Sequence, residues 1–473
     1  MSSADEVPAA GGGSSNNINY RGQLVLFPLP FQGHINPMLQ LANILHAKAG
    51  FKNITIIHTD LNSPNQSNYP QFTFKSISDG LSDESCSLIN LDTSNSVINF
   101  LNKSCIDPFK ACLCKLLAQV VEDDEPPVAC LISDALWHFT QSVADSLNLP
   151  RIVLRTSSMS CIPAYATFVL GQQSYLKTSS LKQELSLMTE KDRQSIIYKG
   201  DSEEGNKELI ASMIQETKAA SGIILNTFKE LEEAACLALT QDFRIPIFPI
   251  GPFHKYFPAS SSSLLEQDRG SISWLDLQPI SSVVYVSFGS IAQVSEAEFS
   301  DMAWGLASSN QRFLWVVRPG SVCGSEWLES LPKGFMEEVG ERGCIVKWAP
   351  QQQVLAHKAT GAFWTHSGWN STLESICEGV PMICSPCSYD QPINARYVTD
   401  VWRIGVMLDN WRMNRREIGR AIKRVFDMDN DEGIEMRQRS KSLQHKVNLS
   451  LQRGGTAYRS LENLVDHICN LSF

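Results

Sequence analysis

Two kinds of apolar patterning alternate along the chain. Short continuous apolar runs bounded by turn residues read as buried strands. Stretches with apolar residues at i, i+3, i+4 and i+7 read as helices with one buried face. Residues 23–28 are a run of the first kind. Asn36 and Pro37 then read as an N-cap and a first-position proline, and Met38, Leu41, Ala42 and Leu45 form one helical stripe that Gly50 ends. Residues 54–58 return to strand, and a strand at 128–133, a helix near 140–147 and a strand at 151–155 repeat the scheme. Residues 172–220 are polar and irregularly patterned, consistent with helices and loops, before a strand at 223–226.

A Pro/Ser-rich stretch, PFHKYFPASSSSLLEQDR, follows Gly251 and reads as a linker. Strands resume at 283–288, 313–317, 344–347, 363–365 and 382–384, and Ser295 with Glu298 spells a capping box. A long charged helix from about Gly433 is broken at Gly454 and Gly455, and an amphipathic helix covers roughly 457–469. The expectation is an α/β protein of two facing Rossmann-like domains. Its divisions are a disordered tail at 1–19, a first domain at 20–250, a linker at 251–270, a second domain at 271–453 and a final helix at 454–473.

Composition narrows the class. With 473 residues, 43% hydrophobic and 19% charged, the chain is an ordinary globular protein with room for two cores. A net charge of −10 without a long basic run argues against nucleic acid or an anionic membrane as the main partner. Thirteen scattered cysteines point to a reducing compartment, and Cys384 with Cys387 lacks the second pair that a zinc site needs. No signal peptide or transmembrane run is visible, so a cytoplasmic protein is expected. No strand is followed by G-x-G-x-x-G or G-x-S-x-G, which disfavours a nicotinamide dehydrogenase and a serine hydrolase.

The chemistry concentrates in residues 348–391, WAPQQQVLAHKATGAFWTHSGWNSTLESICEGVPMICSPCSYDQ. His366, Ser367 and Gly368 make a turn between a strand and a helix over 369–378. Asn370 and Glu374 share one face of that helix, with Ser371 beside them. A helix N-terminus carrying a His, an Asn and a Ser suits an anion, and Glu374, one turn deeper, suits vicinal hydroxyls. A ribose diphosphate fits, and so does a nucleotide sugar. In the first half, His34 follows the first strand in PFQGHINPM and Asp134 follows the strand ending at Ser133. Both reach the same sheet edge, where a catalytic pair, a surface His or a helix cap all remain open readings.

The WAPQ opening, the THSGWNSTLES centre, GVPM and the final DQ together resemble the C-terminal signature of plant family 1 glycosyltransferases, which use UDP-sugars. The resemblance runs from about Gly22 to the C-terminus, and NARYVTDVWRIGV is most similar to the subfamily that glucosylates terpenoids, cytokinins and phenolics. It implies the GT-B fold, with the last helix crossing back to the first domain. It also implies that His34 is the general base and that Asp134 orients and charges it.

On the donor side the resemblance implies that Trp348 stacks uracil while Gln351 and the backbone at Ala349 read its edge. Ser290, His366, Asn370 and Ser371 would hold the diphosphate, Glu374 the ribose, and Thr156, Asp390 and Gln391 the sugar, with Trp369 a further UDP-sugar-binding residue. Gln391 resembles glucose users, which makes UDP-glucose the expected co-substrate, with no cofactor and no metal. The acceptor pocket would be lined by Phe139, Met159, Ile162, Tyr165 and Tyr389, suiting a small hydrophobic acceptor that presents one hydroxyl or carboxyl, with a terpenoid such as an iridoid or diterpenoid ahead of flavonoids and cytokinins. A monomer is expected. Two positions depart from the pattern: Tyr389 replaces the usual Gly or Ala before DQ, and Gly33 stands where some members carry Thr.

Overall fold

The computed structural model describes residues 22–81, 94–122, 125–196, 202–257, 266–290, 293–408 and 413–471. The expected tail at 1–19 lies outside them. In the first half, strands β1 (Gln23–Phe27), β2 (Ile54–Thr59), β3 (Thr73–Ile77), β4 (Val128–Asp134), β5 (Arg151–Arg155), β6 (Gly222–Leu225) and β7 (Ile247–Pro249) form one parallel sheet. Their order is β3-β2-β1-β4-β5-β6-β7. In the second half, β8 (Val283–Ser287), β9 (Arg312–Val316), β10 (Gly343–Val346), β11 (Thr360–Thr365), β12 (Met382–Cys384) and β13 (Gly405–Met407) form another, ordered β10-β9-β8-β11-β12-β13. These are the two Rossmann-like halves of the expected fold. Central strands such as ITIIHT are buried along their whole length because helices cover both sheet faces.

Each sheet reverses its strand order once, at β1/β4 in the first and at β8/β11 in the second. A parallel sheet opens a crevice at the carboxyl ends of its strands where the order reverses. The two crevices face one another across a cavity of about 520 Å3 lined from both halves.

The last helix, Thr456–Leu471, does not stay with the second sheet. Its Leu461, Leu464, Val465 and Ile468 are buried in the core beneath β1, β4 and β5, among Leu24, Ile132 and Ile152. His467 Nε2 lies 2.9 Å from the carbonyl oxygen of Ser221.

Two details differ from the sequence expectation. The first helix spans Gln32–Ala47, so Asn36 and Pro37 lie inside it and His34 belongs to its first turn. Pro37 is tolerated so close to the helix start, but its missing N–H leaves the Gly33 carbonyl without the usual donor four residues on. Strands β3, β7 and β13 were not foreseen. The capping box stands as spelled, with the Ser295 and Glu298 side chains each bonded to the other's backbone N–H.

Candidate active site

The first crevice carries the His–Asp pair. Asp134 closes β4 with its side chain only 1% exposed, while His34 keeps 22% on the cavity side. His34 Nδ1 is 2.7 Å from Asp134 Oδ2, and Thr156 Oγ1 is 3.0 Å from the same nitrogen. Asp134 Oδ1 accepts from the backbone N–H of Leu136 at 3.0 Å. A carboxylate bonded to Nδ1–H fixes the imidazole tautomer and leaves the Nε2 lone pair to accept a proton.

The second crevice is built around the helix Trp369–Glu378, whose N-cap, Gly368, offers no side-chain hydrogen bond. Its first-turn residues Trp369, Asn370 and Ser371 line the cavity, so the uncapped N–H groups are available to an anion there. His366 sits just before this helix, pressed between two glycines. A Cβ at Gly368 would lie 2.5 Å from its Nε2, and one at Gly289 would lie 2.8 Å from its Cε1. Gly289 also has φ +73°, which favours glycine independently. Burial pushes the His366 pKa down to about 4, only partly opposed by the Ser287 backbone, which favours the neutral ring near pH 7.

Deeper along the same helix, Glu374 accepts from Gln351 Nε2 at 2.6 Å and from Gln352 Nε2 at 3.0 Å. Gln351 also donates to Ser371 Oγ at 2.9 Å, and Tyr285 donates to Gln351 Oε1 at 3.3 Å. This network holds the carboxylate in place with lone pairs to spare. Its pKa is raised by burial and pulled back by the two glutamine amides. Trp348, Ala349 and Ser290 line the cavity beside it.

At the far rim, Asp390 Oδ2 accepts from Asn394 Nδ2 at 3.0 Å, and Gln391 Oε1 accepts from the backbone N–H of Cys387 at 2.8 Å. Burial raises the Asp390 pKa, opposed first by the Asn394 hydrogen bond and then by Arg155. Two contacts stitch the crevices together. Asn370 Nδ2 donates at 3.0 Å to the Gly33 carbonyl, the group that Pro37 leaves free. Trp369 Nε1 donates at 2.9 Å to the Asn226 carbonyl, so its indole also serves the contact between the halves.

The expected acceptor residues divide. Tyr165 and Tyr389 line the cavity. Phe139, Met159 and Ile162 do not: they are core residues, and the expectation is corrected. Phe139 packs edge-on against Phe27, Phe109 and Trp137. Met159 is fully buried, its N–H donating to Glu232 Oε2, and Ile162 belongs to a helix buried from Cys161 to Thr167. Leu136, Ile196, Leu209, Ile210 and Met213 supply the apolar wall instead, and Arg155 and Gln352 join the lining unforeseen. Arg155 had left a trace in the sequence, as one of the two arginines that bracket the apolar run of residues 152–154. Among the described residues no group of three or more His, Cys, Asp or Glu is placed to hold a metal ion, and no helix is long and apolar enough to cross a membrane.

A part-buried His–Asp pair facing an uncapped helix N-terminus and Glu374 across two Rossmann-like halves is the arrangement of a nucleotide-dependent group transferase. Residues 40–438 match the family described as UDP-glucoronosyl and UDP-glucosyl transferase, and the chain belongs to that family. It is 49% identical over 471 residues to UDP-glycosyltransferase 76G1 of Stevia rebaudiana, covering 97% of this chain and 99% of the relative. It is 40% identical over 462 residues to flavonol 3-O-glucosyltransferase UGT76E12 of Arabidopsis thaliana, covering 95% and 98%. The crystal structure of Os79 from O. sativa in complex with U2F and trichothecene superposes with a TM-score of 0.79 at 26% identity, covering 94% of this chain and 100% of that one. The protein is therefore a GT-B enzyme of the UDP-glycosyltransferase class.

Proposed function

We propose that the enzyme transfers glucose from UDP-glucose to a hydroxyl of a small hydrophobic plant metabolite, with inversion at the sugar. One observation carries this reading: the 2.7 Å His34–Asp134 pair opens onto the same cavity as the uncapped helix at Gly368. His34 Nε2 takes the acceptor proton as the acceptor oxygen bonds to C1 of the sugar. The bond from C1 to the phosphate oxygen breaks, UDP departs, and the α-linked donor becomes a β-glucoside. Asp134 stabilises the imidazolium as it forms, by the logic of a hydrolase triad. The charge developing on UDP meets the His366 N–H, Ser290 and the helix N-terminus. Trp348 stacks uracil, Glu374 holds the ribose, and Thr156, Asp390 and Gln391 hold the glucose.

The apolar wall of Leu136, Leu209, Ile210 and Met213 suits a compact hydrophobic acceptor. Likeness to the terpenoid-glucosylating subfamily favours an iridoid or diterpenoid, as does the trichothecene held by the O. sativa neighbour. The Arabidopsis thaliana relative, a flavonol glucosyltransferase by name, favours a phenolic acceptor as the second reading. A mass-spectrometric screen of an aglycone library, with UDP-glucose and UDP-galactose competing in EDTA, tests all of this. Glucosides of terpenoid alcohols formed without added metal are expected. A galactose preference, a strict metal requirement, or far higher kcat/KM with phenolics each overturns the part it addresses.

A further inference from the structure

Strand β5 carries an arginine at each end, and the two are held very differently. Arg151 is 1% exposed and donates to Ser133 Oγ, Gln141 Oε1 and the carbonyl oxygens of Glu216 and Trp137. Those neutral acceptors occupy its fork, and it buttresses the sheet. Arg155 is 6% exposed, and what it exposes lines the cavity. Its Nε donates to Ser157 Oγ at 2.7 Å, and its Nη1 meets the thioether of Met213, a weak acceptor. Its guanidinium lies 5.8 Å from the centre of the Tyr165 ring.

No carboxylate among the described residues lies within ion-pairing distance of Arg155. Asp390 feels its field, yet that carboxylate is bonded to Asn394 and, in the proposed reaction, faces the sugar. Among the described residues that line the cavity from the first half, Arg155 is the only Lys or Arg. A guanidinium keeps its charge when buried, and holding it among Tyr165, Met213 and a serine is costly until an anion completes it.

We propose that the acceptor is a hydrophobic hydroxy acid whose carboxylate is received by Arg155 while its hydroxyl meets His34. The proposal rests on the glucosyl-transfer reading above and narrows its acceptor. Consecutive residues at the end of β5 serve the two anchors, since Thr156 touches His34 and Arg155 awaits the acid. The linkage follows: with the carboxylate engaged at Arg155, the hydroxyl is the nucleophile and the product is a glucoside, not a glucose ester.

Three probes sharing one skeleton test this: 4-(hydroxymethyl)cyclohexanecarboxylate, its methyl ester and cyclohexylmethanol. The wild-type enzyme is expected to favour the carboxylate over its methyl ester by at least about tenfold in kcat/KM, because a charge-assisted pair outweighs a neutral contact. The product should resist mild alkali. Arg155→Met should collapse the preference to about one, and Arg155→Lys should retain part of it, as a charge without the fork. A preference that survives Arg155→Met, a wild type indifferent to acceptor charge, or an alkali-labile ester overturns the proposal. Should the methionine variant misfold, inhibition of the wild type decides: cyclohexanecarboxylate is expected to inhibit at least about tenfold more tightly than cyclohexanecarboxamide, and equal inhibition overturns it. Transfer to the two neutral probes reports on glucosyl transfer itself. If the wild type glucosylates none of the three, that reading falls and takes the narrower one with it.

Discussion

Replacing Asp134 by Asn changes one atom and should disable His34. Both carboxylate oxygens are in use: Oδ2 faces His34 Nδ1 at 2.7 Å and Oδ1 accepts from the Leu136 N–H at 3.0 Å. An amide has one acceptor. If its oxygen stays with Leu136, its NH2 faces Nδ1, which must then be the unprotonated nitrogen. The ring proton moves to Nε2, where the acceptor hydroxyl needs a lone pair. The Thr156 hydroxyl, 3.0 Å from Nδ1, can donate as well and reinforces the wrong tautomer. Flipping the amide restores the tautomer but sets NH2 against the Leu136 N–H. Two donors without acceptors in a buried site cost about 1–3 kcal/mol each. The productive arrangement therefore lies about 3–4 kcal/mol uphill, and kcat should fall by about 10²–10³. The assay is UDP release with UDP-glucose and an unactivated alkyl alcohol, with circular dichroism to verify the fold. A nitrophenol that ionises near pH 7 is the control, because it needs no base and should lose less than about tenfold. A well-folded Asp134→Asn enzyme keeping more than about a tenth of kcat on the alkyl alcohol would refute the assigned role.

Further outcomes follow from the same geometry. Gly368→Ala puts a methyl group 2.5 Å from His366 Nε2, so kcat/KM for UDP-glucose should drop by about tenfold or more; an unchanged value in steady-state kinetics would mean that His366 does not need its position. Arg396→Ala strips the fully buried Asp192 of a 2.7 Å ion pair. The loss should be about 3 kcal/mol in denaturant titration, at the low end for a buried pair because Thr189 still donates to Asp192, and no change in midpoint would contradict this. His366 and His254, pushed down by burial to about 4 and about 3, take up protons later than in the unfolded chain. Stability should therefore fall as pH drops from about 6.5 towards 4. His366→Asn should fall less steeply than wild type between pH 7.5 and pH 5 in paired denaturation curves, and parallel losses would argue against the shift.

Much of this architecture was legible because its signals are strong locally. Buried central strands such as β4 and β11 read as apolar runs, and Ser295 with Glu298 marked a helix start without ambiguity. The short or peripheral strands β3, β7 and β13 were missed. Only Ile77 of β3 is buried, and the other two have three residues each, too few to show a period. The start of the first helix was misplaced because Asn36-Pro37 imitates a helix opening. The polar residues that line the second crevice were legible because they fall at strand–helix junctions. The acceptor wall was not: Phe139 and Met213 are both apolar, and only packing decides that one joins the core and the other the cavity. Arg155 was visible as a charge and invisible as a site, since its partner Met213 comes from a helix remote in sequence.

The helix Thr456–Leu471 has a consequence for how the protein is made. Leu461, Leu464, Val465 and Ile468 belong to the core of the first sheet, yet they are synthesised after the whole of the second. At about 5–20 residues per second, roughly 10–40 s separate the end of β7 from the arrival of this helix at the ribosome. Until then the first half presents an apolar trough beside β4 and β7, a liability during synthesis that a chaperone or the nascent second half must shield. A chain cut short before Thr456 would retain every residue of the proposed site and still lack the piece that seals the half carrying His34 and Asp134. The half that begins first is the half completed last.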